Sequence, residues 1–411
     1  MNPARVALVS MHTSPLDAPG IGDSGGMNVY VTALGSGLAE RGWEVEILTR
    51  RSDPDQPSSV RTASGVVVRF LDAGDRVPLL KEDLPRVTSE FSSAIARLPQ
   101  FDLFHSHYWL SAVAAQPIAE LQEAPHVVSL HTVAALKNRR RANGQAAEPQ
   151  SRIEAEVIAA RRSSMVITST NAERDAVVVD YGVDPDRITV IEPGVDTDLF
   201  HPRSAHGAAG PVGERPANAR DDILVVGRIQ ALKGQDLAIR ALSHIPVASR
   251  PRLLLVGGAS GSPDSYADSL RRLATECGVG DDVVFLGARS RREVAELMRN
   301  AALLLVPSSS ETYGLVTLEA AASGTPVLAM GVAGLLDSVV EGVTGQFVSS
   351  ADEAEWASQI TRILDDRRRL AALSSTAAHF AAGRNWTASV ARTSDLYERL
   401  LGVSADERRI S

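Results

Sequence analysis

Short runs of Val, Ile and Leu alternate along the chain with longer stretches in which apolar positions recur every three or four residues. In the first half the runs are Val6–Met11, Glu44–Thr49, Val66–Leu71, Leu103–His105, His126–Leu130, Met165–Thr168 and Ile188–Ile191. Helical stretches lie between them, near Gly26–Arg41, Leu84–Leu98, Trp109–Leu121, Ser151–Arg161 and Asn171–Tyr181. Runs apolar on both faces and separated by helices predict a parallel sheet covered on both sides. Over 201–220 Pro, Gly, Ala and charge replace the periodicity, which predicts a linker. The pattern then restarts. Strands are predicted at Ile223–Val226, Arg252–Val256, Val283–Leu286, Leu303–Val306 and Pro326–Ala329, with helices near Gly234–Leu242, Tyr266–Cys277, Arg291–Asn300 and Gly314–Ala322. Residues 352–401 read as almost continuous helix. The expected fold class is α/β, with two Rossmann-like doubly wound domains in series facing across a cleft. The first spans 1–200, the second 221–386, and a terminal helix over 387–411 crosses back onto the first.

Composition narrows the class. At 411 residues the chain exceeds what one core supports, and 44% apolar content is ample for two. A net charge of −8 argues against nucleic acid or an anionic membrane as partner. The lone Cys277 excludes an internal disulfide framework. Arg5–Met11 is too short for a leader and polar residues follow it, and no apolar run has the length of a membrane span. The expectation is a cytoplasmic protein acting on small molecules.

The candidate chemistry sits where predicted strands end, the side on which doubly wound sheets bind ligands. After Leu303–Val306 comes Ser308-Ser-Ser-Glu311-Thr-Tyr-Gly314-Leu-Val-Thr-Leu-Glu319. Glu311 is expected in the loop, with a Ser/Thr-capped helix opening behind it. Backbone N–H groups at Thr312, Tyr313, Gly314 and Leu315 would face a ligand there. An acid for hydroxyls beside donors for phosphate suits a nucleotide sugar. After Ile223–Val226 comes Gly227-Arg228, and Lys233-Gly234 follows at the next helix. Two such cations can clamp a diphosphate, since one charge pair at ~4 Å and an effective dielectric of ~20 is worth about 4 kcal/mol. In the first half, Gly25-Gly26 opens a helix and lets backbone approach an anion, although tight strand–helix packing also favours glycine. His105 and His107 share a strand face, but no clustered Cys, Asp or Glu completes a metal set. Lys81, Tyr108, Thr132 and Arg152 supply two cations and two hydroxyls for a phosphate, with Arg152 oriented by Glu156 at i, i+4. A nicotinamide oxidoreductase lacks support, because neither half carries G-x-G-x-x-G with an acid about twenty residues on.

Together these stretches resemble the retaining GT-B glycosyltransferases. Ser10-Met-His-Thr-Ser-Pro-Leu16, Gly22-Asp-Ser-Gly-Gly-Met-Asn-Val-Tyr30, Lys81-Glu-Asp-Leu-Pro85 and His105-Ser-His-Tyr-Trp-Leu-Ser111 are similar to the D-inositol-3-phosphate glycosyltransferases of mycothiol biosynthesis. Pro193-Gly-Val-Asp196, Gly227-Arg228, Lys233-Gly234 and Glu311 to Glu319 belong to the broader pattern. The resemblance implies an acceptor site at His12, Asp23, Asn28, Lys81, Tyr108, Thr132 and Arg152. It implies a donor site at Gly26, Arg228, Lys233, the backbone near Arg289, Glu311, Thr312, Tyr313, Gly314, Leu315 and Glu319. Glu319 would take ribose hydroxyls and Glu311 the sugar, and His131 would lie near the reacting centre with Arg228, Lys233 and Glu311 as its catalytic company.

The departures bear on substrates. Val128-Ser-Leu-His-Thr replaces a run with an extra His or Thr, Ala112 stands for a Gly, and Val332-Ala-Gly-Leu-Leu336 replaces Val-Gly-Gly-Leu-Pro. The expected function is retaining transfer of a sugar from UDP-N-acetylglucosamine to inositol phosphate. The alternative is a paralogue in antibiotic biosynthesis, such as a lincosamide-type enzyme joining a GDP-octose to the thiol ergothioneine. The donor is a substrate and no resident cofactor is required, magnesium being compatible but not demanded. The resemblance hints at a homodimer.

Overall fold

In a computed structural model of the chain, which describes residues 3–17, 25–140, 146–203, 221–258 and 266–402, the two periodic halves form two α/β units. The first contains β1 (Arg5–Val9), α1 (Gly26–Glu40), β2 (Glu44–Arg50), β3 (Ser59–Arg61), β4 (Val67–Leu71), α2 (Thr88–Ile95), β5 (Leu103–His107) and α3 (Trp109–Leu121). It continues through β6 (His126–Ser129), α4 (Ala134–Arg139), α5 (Gln150–Arg162), β7 (Met165–Thr168), α6 (Asn171–Tyr181) and β8 (Ile188–Val190). Its strand order is β3-β4-β2-β1-β5-β6-β7-β8, parallel throughout except for the short edge strand β3. That strand was not expected. Three residues with exposed ends carry too little periodicity to register.

The second unit contains β9 (Asp222–Val226), α7 (Gln235–Ser243), β10 (Arg252–Val256), α8 (Tyr266–Glu276), β11 (Val283–Gly287), α9 (Arg291–Asn300), β12 (Leu303–Val306) and α10 (Leu315–Ala322). Then follow β13 (Val327–Met330), α11 (Ala333–Ser338), β14 (Gly345–Val348), α12 (Glu353–Asp365) and α13 (Arg367–Ala382). The order β11-β10-β9-β12-β13-β14 is wholly parallel. The last helix, α14 (Trp386–Leu401), belongs to the first unit. Val390, Leu396 and Tyr397 join the core formed by Leu34 and Leu38 of α1, and the Trp43 indole donates to Ser394 at 3.0 Å.

Three expectations change. The first unit closes at Pro193, not at 200, because Val195 and Phe200 are buried in the second unit's core and Arg299 donates to the Leu199 carbonyl. Most of the expected linker, 204–220, lies outside the described residues. The helix expected over Leu84–Leu98 begins as a 3-10 turn, Leu84–Val87, with Pro85 near its start, and turns α-helical only at Thr88. Finally, α10 has no Ser/Thr cap. Its N-cap is Gly314 in the left-handed region (φ 79°), with no side-chain cap.

β5 is an anomaly of composition. All five residues of Leu-Phe-His-Ser-His are buried in a central parallel strand, where apolar side chains are the rule. Burying such polar groups is tolerable only when they are hydrogen-bonded. His105 shares hydrogen bonds with the Tyr397 hydroxyl (2.6 Å) and Ser129 (2.9 Å), and Ser106 with His126 (2.8 Å). The strand retains these groups at its carboxyl end, where the candidate site lies.

Candidate active site

Strand order locates the sites before any side chain is considered. In the first sheet the chain runs from β1 outward through β2, whereas β5 on the other side leads to β6. The order reverses between β1 and β5, and a crevice at the carboxyl ends of such neighbours is where doubly wound sheets take ligands. β1 ends into His12 and β5 into His107-Tyr108. In the second sheet the reversal falls between β9 and β12, which end into Gly227-Arg228 and Pro307–Glu311.

At the first reversal the loop after β1 is tied on two sides. The Met11 N–H donates to Ser111 Oγ of α3 (3.0 Å), and Asn28 Nδ2 of α1 donates to the Ser14 carbonyl (2.5 Å) while its Oδ1 accepts from Thr13. Asn28 therefore holds the backbone of the loop that carries His12. The His12 ring packs on Tyr108, centroids 4.5 Å apart. Over the same Tyr108 ring stand Lys81 (Nζ 4.7 Å) and Arg152 (Cζ 4.9 Å), within cation–π reach. Arg152 Nη2 donates to Thr132 Oγ1 at 2.7 Å. Thus His12, Lys81 and Arg152 converge on the Tyr108 ring and Arg152 brings in Thr132, five residues spread over 141 positions of sequence.

The electrostatics follow from burial. Arg152 is 4% exposed and paired with Glu156 (2.7 Å) and Glu148 (2.7 Å). Glu156, fully buried, also accepts from the Ala134 N–H (2.9 Å), where α4 begins, and from the Tyr181 hydroxyl. Burial raises its pKa despite Arg152. Burial, with Lys81, His131 and Arg152 as nearby positive influences, drives the His12 pKa well below its usual value. Burial pushes the Tyr108 phenol up to about 12. Tyr108 (φ 76°) and His131 (φ 59°) are two of the three non-glycine residues with positive φ among those described. Both sit just beyond strand ends, where a strained backbone holds a side chain in a set direction.

His131 shares a hydrogen bond through Nε2 with His107 Nδ1 at 2.9 Å, and Tyr30 meets the His131 ring edge-on at 5.1 Å. Burial holds His131 neutral, with its pKa lowered to about 4.

At the second reversal Lys233 Nζ and Glu311 Oε1 form an ion pair at 2.5 Å, and Ser308 Oγ donates to the same oxygen at 3.0 Å. The two loops are sewn together by the Ser309 N–H on the Leu232 carbonyl (2.9 Å). Gly234 (φ 69°) allows this approach: a Cβ there would stand 2.3 Å from the Pro307 carbonyl oxygen. The Arg228 carbonyl accepts from Gln235 Nε2 at 2.9 Å. Glu319, one helical turn into α10, takes Arg291 Nη2 at 3.1 Å, and burial raises its pKa against that pairing. Thr312 and Tyr313 turn the chain into Gly314 and Leu315, and Tyr313 is buried. The Arg289 guanidinium turns back to the Ala288 carbonyl (3.0 Å) and towards Glu293 (3.8 Å). Gly26 is the first residue of α1, and Asp23 lies outside the described residues.

Comparison with known proteins decides the family. The profile described as "Glycosyltransferase Family 4" matches residues 24–199, and "Glycosyl transferases group 1" matches 214–380. A D-inositol 3-phosphate glycosyltransferase of Stackebrandtia nassauensis is 40% identical over 399 residues, covering 94% of this chain and 89% of that protein. The chain belongs to this glycosyltransferase family. Among solved structures, sucrose-phosphate synthase of Thermosynechococcus elongatus matches with TM-score 0.88 and 29% identity, over 98% of this chain and 100% of its own. The Anabaena protein HepE, solved with UDP and glucose, matches with TM-score 0.75 and 19% identity, over 96% of this chain and 100% of its own. The two parallel-sheet units are those of the GT-B fold.

In this glycosyltransferase several residues at the sites escaped sequence reading. Glu148 joins Arg152, Arg291 pairs with Glu319, and Tyr30 and Tyr397 pack on the buried histidines with Trp386 behind Tyr30. The spacing of Glu148 and Arg152 at i, i+4 was a usable signal. Trp386 and Tyr397 had none, since α14 reaches β5 only through tertiary packing. Among the described residues no helix is long and apolar enough to cross a membrane, and no group of three or more His, Cys, Asp or Glu has metal-binding geometry.

Proposed function

We propose that this glycosyltransferase retains anomeric configuration and moves N-acetylglucosamine from UDP-N-acetylglucosamine to inositol phosphate. The observation that carries the reading is the cradle around Tyr108, where Lys81, Arg152, Thr132 and His12 meet. Two cations and a hydroxyl donor suit a phosphate dianion, which charge-assisted hydrogen bonds hold best. Arg152 is already oriented by two carboxylates, so little ordering remains to be done on binding. The relatives named D-inositol 3-phosphate glycosyltransferase support the acceptor.

On the donor side, Arg228 and Lys233 neutralise the diphosphate as negative charge grows on it, at about 4 kcal/mol per well-placed charge before desolvation. The N-terminal N–H groups of α10 add donors. Lys233 keeps two further N–H donors while bound to Glu311, so the ion pair joins diphosphate recognition to sugar recognition. Glu319 takes the ribose hydroxyls. The uridine donor belongs to this reading through the family resemblance. The transition state is oxocarbenium-like, and the departing phosphate takes the acceptor's proton. His131, neutral through burial, positions the sugar instead of acting as a strong base. A cytoplasmic homodimer belongs to this reading through the family.

The test is a donor-by-acceptor panel read by mass spectrometry, with UDP-N-acetylglucosamine, UDP-glucose and GDP-sugars against inositol 3-phosphate, inositol and ergothioneine. The anomeric configuration is read by proton NMR. The expected product is the α-linked N-acetylglucosaminide of inositol phosphate, with unphosphorylated inositol inert. Turnover only with the thiol would replace this acceptor by that of an antibiotic-pathway paralogue, and a β-linked product would end the retaining mechanism.

A further inference from the structure

Behind the ends of β5 and β6 lies a buried array that the phosphate cradle and the diphosphate clamp do not use. The Tyr397 hydroxyl of α14 meets His105 Nδ1 (2.6 Å), and His105 Nε2 meets Ser129 Oγ (2.9 Å). The His105 and His107 rings lie 4.2 Å apart, and His107 Nδ1 meets His131 Nε2 at 2.9 Å with the two ring planes 29° apart. Tyr30 closes the other side, 5.7 Å from His107 and 5.1 Å from His131, and is itself backed by Trp386 of α14 at 5.5 Å. His105 and His107 have no exposed surface.

We infer that His107 is a positioning residue for glycosyl transfer, which fixes the ring plane and the tautomer of His131. This rests on His131 standing beside the reacting sugar, as the proposed function has it. A hydrogen bond between facing ring nitrogens requires one proton between them. If His131 Nε2 donated that proton, His107 would carry its own on Nε2, which is buried with no partner among the described residues. Buried N–H groups without acceptors are rarer than under-used acceptors. The favoured arrangement has His107 Nδ1–H donating to His131 Nε2. His131 then carries its proton on Nδ1, and a sugar hydroxyl oxygen can accept only from that side. The strained backbone at His131 (φ 59°) is held in place by this bond and by Tyr30, so α14 supports the reacting group through Trp386 and Tyr397.

The test pairs two substitutions with a spectrum of the unaltered protein. His107→Asn places an amide where Nδ1 was, whereas His107→Gln carries its amide past that point. We expect His107→Gln to lower kcat about 10–100-fold with KM for both substrates within about twofold, equal to roughly 1.4–2.8 kcal/mol of transition-state stabilisation. His107→Asn should recover most of that loss. In the 15N-histidine correlation spectrum of the ligand-free wild type, His131 should be protonated at Nδ1. Equal losses for Asn and Gln, or a loss confined to KM, would reduce His107 to a packing residue. A wild-type His131 protonated at Nε2 would overturn the inference even if both variants failed to fold. That spectrum needs no substrate, so it decides the matter if the panel above finds no turnover.

Discussion

Glu156→Ala tests whether the proposed acceptor cradle is held from behind. Glu156 has no exposed surface and accepts three donors: Arg152 Nε at 2.7 Å, the Ala134 N–H at 2.9 Å and the Tyr181 hydroxyl. Its removal leaves a guanidinium that is 4% exposed with half of its carboxylate company, and strands the first N–H of α4. Breaking a buried ion pair on one side costs about 3–5 kcal/mol. For a unit of this size, one kcal/mol moves the melting temperature by about 2–4 °C, which predicts a drop of roughly 6–20 °C in the first unit's transition. Glu156→Gln keeps an acceptor oxygen for Ala134 and Tyr181 but loses the charge and the oxygen that accepts from Arg152, so its cost should be smaller, about 1–3 kcal/mol. Differential scanning calorimetry gives both numbers. Steady-state assays should show the acceptor's KM raised at least tenfold in Glu156→Ala, because Arg152 loses the partner at i+4 that aims it at Thr132. A melting shift below about 2 °C, or identical shifts for Ala and Gln, would refute the reasoning.

Two further predictions follow from buried histidines and from one loop crossing. His126 and His131 have folded-state pKa values lowered by burial to about 3 and about 4, against 6.5 in the unfolded chain. Their contribution is complete above pH 6.5 and is lost as pH falls towards 4, because only the unfolded chain then gains protons. At pH 5 each should cost about 2 kcal/mol, so the first unit should melt lower at pH 5 than at pH 7, and His126→Gln should reduce that dependence by about 2 kcal/mol while the other buried histidines keep the rest. A flat profile between these pH values would count against burial as the cause. Gly234→Ala should lower kcat/KM for the donor more than tenfold, because its Cβ would press on the Pro307 carbonyl at 2.3 Å and push apart the loops bearing Lys233 and Glu311. Unchanged donor kinetics would mean that the loops separate without consequence.

The sequence alone carried the alternation of strand and helix, since apolar period is a local property of the chain. The parallel, doubly covered sheets, the cations after β9 and the loop position of Glu311 all followed from it. What it carried poorly was also local in cause. Edge strand β3 and the short helices α4 and α11 are too brief for periodicity to show, and a Gly rather than a Ser or Thr begins α10. Naming Lys81, Tyr108, Thr132 and Arg152 as a phosphate group needed only residue types. The meeting of Lys81 and Arg152 on the Tyr108 ring, and of Thr132 with Arg152, depended on strand order. Only the tertiary structure decided that His12 and Tyr108 flank the first reversal and Arg228 and Glu311 the second. It alone brought Arg291 to Glu319, and set the returning helix α14 against His105 and Tyr30. The physical reason is that strand order and helix return are chosen by non-local burial. The free energy of those contacts belongs to pairs of distant residues, and no window of sequence contains both members.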